Sequence, residues 1–220
     1  MDLDSNLFVK RGDPSKQAHM TTTQFVGFTT GQVPAHVIVP VKWSQDLAES
    51  RANILGPTHT VVCPEPTINL PVIAATADNL KSYGALLCRS HKQAPLPPNM
   101  PLFHVSIGAN YVQEYLMNLD GGGGEYLEYH STPHYHQPIS TANSPDGGFL
   151  ILGRRLKSYV MLTGYTIPAG YGVYTPAWCL HSDAHLIGHY LVAYTITPNY
   201  TTAILKTSQD IPVSLKRSKK

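Results

Sequence analysis

The chain has 220 residues, 42% of them hydrophobic and only 14% charged, which is enough for one domain with a substantial core and excludes a large multidomain assembly or a wholly disordered chain. Its formal charge of +2 owes much to the last five residues, Lys216, Arg217, Ser218, Lys219 and Lys220, so the body lacks the basic surface that nucleic-acid binding requires.

In chain order, the opening segment MDLDSNLFVKRGDP carries two early aspartates and no apolar run, unlike a secretory signal. No stretch reaches the ~18 apolar residues of a membrane-spanning helix. The expectation is a soluble, cytoplasmic protein with neither membrane nor nucleic acid as partner. The triplet Arg11, Gly12, Asp13 is read as a chance match to an adhesion motif. Cys63, Cys88 and Cys179 are odd in number, widely spaced and without a Cys-x-x-Cys pair, so they are expected to be reduced thiols.

Residues 1–98 read as an N-terminal extension of short strands with one or two helices. The strands lie in VPAHVIVPVKW and HTVVC, and the helix candidates are SQDLAESRANIL, with Ser44 as N-cap, and TADNLKSYGALLC. The proline-rich HKQAPLPPNMP, residues 91–101, marks the boundary, because proline cannot donate to a sheet ladder.

From 99 to 205 the pattern changes to strands bounded by turns: HVSIG, YVQEYLMNL, EYLEYH, FLILG, KSYVMLTGYTI, YGVYTP and HYLVAYTIT. Short strands at this spacing indicate a sandwich or a barrel rather than a doubly wound sheet. GGGG at 121–124 precedes a strand pattern instead of a helix, so it is read as a flexible hairpin connection and not a phosphate cradle. Residues 206–220 form a basic C-terminal tail.

HSTPHYHQP, residues 130–138, brings His130, His134 and His136 close together. In a chain with 11 histidines a His-x-His pair arises readily by chance, so its surroundings have to decide. If EYLEYHSTPHYHQ is extended throughout, Glu128, His130, Thr132, His134 and His136 share one face. A bulge at Pro133 would break that parity, leaving the relation of His134 to His136 the firmer one. Imidazoles facing an apolar interior need hydrogen-bond partners or a metal.

The segment TGYTIPAGYGVYTPAWCLHSDAH, residues 163–185, resembles the second motif of the cupin superfamily: a Pro-x-Gly turn at Pro168, Ala169 and Gly170, a second turn at Pro176, then a histidine at His181. His134 and His136 resemble the His-x-His of the first motif, with FLILG ending at Gly153 as its closing strand. The resemblance covers roughly residues 102 to 200. It implies a mainly β fold, a cupin-type jelly roll or small antiparallel β-barrel behind a mixed N-terminal extension, and a divalent metal ion (Fe, Zn, Ni or Mn) on His134, His136 and His181.

The chain departs from the pattern where a glutamate follows the pair, because Gln137, Pro138, Ile139 and Ser140 stand there. Asp146 enters as a further metal ligand, with Glu128 and His130 as alternatives for the fourth position, and Asp146 before Gly147 is also an ordinary turn residue. Tyr126, His130 or Glu128 is then the acid or base, and Thr132, Tyr174, Trp178 and His185 line a substrate pocket. Asp183 and His185, alternating with His181, are read as partners of the ligands or as rim residues. The resemblance implies a homodimeric, metal-dependent enzyme acting on a small polar organic molecule, oxygenase ahead of isomerase or lyase. The alternative is a non-catalytic cupin that binds a carbohydrate-type ligand or a structural metal.

Overall fold

The computed structural model describes residues 34–44, 58–118, 123–139, 148–195, 197 and 200–219. The helix expected over SQDLAESRANIL, the Arg11-Gly12-Asp13 triplet and Asp146 lie outside them, apart from Ser44 itself. Among the described residues strand makes up 49% and helix 10%, with a nearly closed β-barrel sheet, so the mainly β reading holds.

The strands are β1 (Val37–Pro40), β2 (Lys42–Ser44), β3 (Thr58–Cys63), β4 (Thr67–Leu70), β5 (Val72–Ala74), β6 (Leu86–Cys88), β7 (Leu102–Ile107), β8 (Tyr126–His130), β9 (His134–Pro138), β10 (Leu150–Arg155), β11 (Tyr159–Thr166), β12 (Gly172–Thr175), β13 (Leu180–Ser182), β14 (Gly188–Ala193), β15 (Tyr200–Thr207) and β16 (Ser214–Arg217). A nine-stranded sheet runs β1-β11-β10-β13-β8-β15-β3-β2, with β5 also on β11. A five-stranded sheet runs β6-β12-β9-β14-β7, and β16 pairs with β4. Strands β8 to β15 pair antiparallel with one another. The early strands β3, β4 and β5 each add in parallel, on β15, β16 and β11.

Alternation along the strands divides the interior in two. One face of the large sheet puts Leu127, Ile151, Leu162, Leu180, Ala203 and Leu205 against Val61, Ile68 and Leu70 of the N-terminal strands. The opposite face puts Leu150, Leu152, Met161 and Tyr165 against Val173, Tyr190 and Val192 of the smaller sheet. The space between the two sheets is therefore the barrel interior. Fully burying such a side chain stabilises by about 1.5–3 kcal/mol, so the two layers are the main source of cohesion.

Local chemistry explains where the sequence reading was partly wrong. TADNLKSYGALLC is helical only over α1 (Ala77–Leu80) and one following 3-10 turn. Thr76 and Asn79 form a reciprocal cap, with Thr76 Oγ1 accepting from Asn79 N at 3.2 Å, and Gly84 at φ 69° ends the turn. YVQEYLMNL, expected as a strand, contains a π-helical turn, Tyr111–Leu116. Its buried residues Val112 and Leu116 are four apart, a helical spacing that the β-prone Tyr and Val had obscured. Gly123 (φ 74°) and Gly124 (φ 129°) lead from that turn into β8, so the glycine run joins a helical turn to a strand instead of two strands. Among the described residues, no helix is long and apolar enough to cross a membrane.

Candidate metal centre

Glu128 and His130 stand two apart on β8 and face the interior, whereas Leu127 and Tyr129 face the N-terminal strands. The chain turns at residues 131–133 and re-enters as β9 in the other sheet. The extended run of one parity is thus a corner between two sheets, and both arms direct histidines inward. On β9, His136 is level with Val173 of β12 and Val192 of β14, two residues of the interior core. His181 arrives on β13 directly opposite Glu128 and beside Leu152.

Glu128, His130, His134 and His181 are all buried, and one donor atom from each lies within 4.8 Å of all the others. His181 Nε2 is 3.2 Å from Glu128 Oε1 and 3.2 Å from His134 Nδ1. The rings of His130 and His134 approach to 4.1 Å between centroids. Donors bound at about 2.0–2.1 Å to one tetrahedral ion are roughly 3.3–3.4 Å apart, so this spacing suits a shared cation.

The tautomers point the same way. His181 Nδ1 donates to the carbonyl of Cys179 at 2.9 Å, and His130 Nδ1 donates to the carbonyl of Thr132 at 2.6 Å. A carbonyl only accepts, so in each neutral ring the proton sits on Nδ1 and the lone pair on Nε2. Lone pairs and a carboxylate then converge on one small space. Burial opposes ionisation of His181, but the hydrogen bond and charge of Glu128 outweigh it and raise its pKa. His130 and His134 are held neutral, mainly by burial and then by the charge of His181, with His130 pushed down to about 4. Neutral imidazoles with one carboxylate are a donor set that binds divalent transition metals, and these residues can hold such an ion.

His136, expected as a ligand, is not among the four. It faces Asp183, its Nε2 3.6 Å from Asp183 Oδ2, too far for a hydrogen bond. Asp183 Oδ1 accepts from the Tyr126 hydroxyl at 2.8 Å. Burial works against the Asp183 charge, yet His136, the Tyr126 hydroxyl and His181 outweigh it and hold its pKa down to about 2. Burial and the charge of Asp183 push the Tyr126 pKa well above 10, so Tyr126 keeps its proton and serves as a donor.

Of the expected pocket residues, Thr132 orients His130 through its carbonyl. Tyr174 does not reach the centre: it is level with Tyr135, on the opposite face of its sheet from His134, and packs beside Cys88 and Ala94. Trp178 is 46% exposed at φ 64°, and its backbone N–H, donating to the His130 carbonyl at 2.8 Å, is its link to the site. His185 pairs with Glu125 Oε2 at 2.8 Å and stacks on Phe149. Glu125 Oε1 also accepts from Leu215 N at 2.9 Å and Ser214 Oγ at 3.1 Å. Sequence reasoning missed Glu125, whose partners lie 60 to 90 positions away and leave no local signal. Thr175, level with His134 on β12, was missed as well.

A surface cleft of about 250 Å³ is lined by His104, Gln137, Pro138, Ile139 and Leu191 and contains none of the four clustered residues. No family model matches the chain, and neither a curated protein nor a solved structure matches it.

Proposed function

We propose that this protein is a metal-dependent enzyme of the cupin type acting on a small polar organic molecule, with oxygenase chemistry ahead of isomerase or lyase. The observation that carries the reading is the convergence of Glu128, His130, His134 and His181 inside a β-barrel. Iron, zinc, nickel and manganese all suit three imidazoles and a carboxylate. When bound, the ion would supply a Lewis acid or, if it is iron, a centre for oxygen activation. The chain's own part is positional. The carbonyls of Cys179 and Thr132 fix two ring orientations, and Tyr126 holds Asp183 as an ionised acceptor beside the site. The homodimer and the cytoplasmic setting belong to the same reading. Strand β7, at the edge of its sheet with Leu102 and Phe103 exposed, is in keeping with a partner surface.

A second reading is a non-catalytic cupin with a closed metal sphere, favoured by the burial of all four donors, none more than 6% exposed. Oxygen consumption by iron-loaded protein against a panel of small polar compounds tests the first. Substrate-dependent uptake that disappears in His181→Ala supports an oxygenase, and product formation without uptake moves the assignment to isomerase or lyase. Tight stoichiometric metal, no turnover and no response of the cobalt(II) spectrum to azide would favour the closed site.

A further inference from the structure

His136 is 1% exposed, and neither ring nitrogen has a hydrogen-bond partner in the protein. The hydroxyl of Thr175, also 1% exposed, has none either. The two share a face of the smaller sheet, since Thr175 is level with His134 and Val173 with His136. Across the interior, Asp183 Oδ2 stands 3.6 Å from His136 Nε2, while Oδ1 is engaged by Tyr126. Buried polar atoms without partners are costly, and His136 and Thr175 present three of them on one face of the sheet, with a carboxylate beside His136.

We infer that His136, Thr175 and Asp183 form a substrate subsite next to the metal centre, selecting neutral or cationic molecules that carry hydroxyl or amino groups. This deepens the enzyme reading above and rests on it for the word substrate. The chemistry of the three groups sets the class. A carboxylate only accepts, so whatever approaches Asp183 must donate; imidazole and the threonine hydroxyl can each donate or accept. A hydroxyl meets both demands, and an amine meets the first with added attraction. A carboxylate ligand would face Asp183 with Glu128 nearby, and like charges in a shielded interior repel strongly.

The test uses zinc-loaded full-length protein and NMR titration with glycerol and ethanolamine against acetate and lactate. Glycerol and ethanolamine are expected to bind at millimolar concentration and to shift the His136 ring signals. Thr175→Val and His136→Phe are each expected to weaken binding by about ten-fold, the size of one lost hydrogen bond. Thr175→Val leaves the shape unchanged and removes an unsatisfied hydroxyl, so its unfolding midpoint should stay level or rise while binding falls, a combination that a structural role would not produce. Tighter binding of acetate or lactate, no effect on His136 by any probe, or binding indifferent to Thr175→Val would overturn the subsite. Metal content separates the two proposals. Wild-type protein that binds the probes but takes up no zinc keeps the subsite and removes the metal centre. Loss of zinc in His136→Phe would make His136 a ligand and overturn the subsite.

Discussion

Removing the Glu125 carboxylate should release the C-terminal strand. Glu125 is buried, and its two oxygens take three hydrogen bonds: His185 Nε2 at 2.8 Å, Leu215 N at 2.9 Å and Ser214 Oγ at 3.1 Å. Leu215 and Ser214 belong to β16, whose sheet partner is β4, so the carboxylate ties β16 to the start of β8. Hydrogen bonds to a charged acceptor contribute about 1.5–3 kcal/mol each, though not additively, and removing one partner of a buried pair costs about 3–5 kcal/mol. Glu125→Ala is therefore expected to lose about 3–5 kcal/mol, read as a lower urea midpoint at unchanged slope. Glu125→Gln keeps an acceptor for the Leu215 N–H and should lose less. Hydrogen exchange adds a local readout, because the Leu215 amide should lose its protection in the alanine variant first. A loss below about 1 kcal/mol with that amide still protected would refute the reasoning.

Gly172→Ala should destabilise by about 1–3 kcal/mol in thermal or urea unfolding, because the new methyl group would meet the fully buried Tyr135 ring, itself held by a 2.8 Å hydrogen bond to Gln137. The thiols should be inert in the native state: Cys63, Cys88 and Cys179 are free and buried, and burial pushes Cys63 and Cys179 up to about 12. A raised thiol pKa means almost no thiolate at pH 8, so labelling with an aromatic disulfide reagent should await denaturant, and rapid labelling of the native protein would contradict the burial.

The barrel was legible where alternation and turns agree, as in EYLEYH, FLILG and KSYVMLTGYTI, which became β8, β10 and β11. His134 and His181, which the resemblance implied as ligands, lie in one buried cluster, and Glu128 stood among the candidates because strand parity placed it with His130. What parity could not supply was the corner at residues 131–133, which places His130 and His134 in different sheets yet on one interior. Tyr174 was misplaced for a related reason, since the face a strand residue takes depends on register with its neighbour, here Tyr135, and register is a tertiary property. The π-helical turn at Tyr111–Leu116 was hidden by β-prone composition. Glu125 was invisible because its partners come from the far end of the chain.

The most direct test is the metal content of purified protein after loading, by elemental analysis, for the wild type and for Glu128→Gln, His134→Ala and His181→Ala. The structure predicts one divalent ion per chain in the wild type and a loss of affinity of at least about ten-fold in each variant. Stoichiometric metal that survives all three substitutions, or none in the wild type, would contradict a centre built on Glu128, His130, His134 and His181.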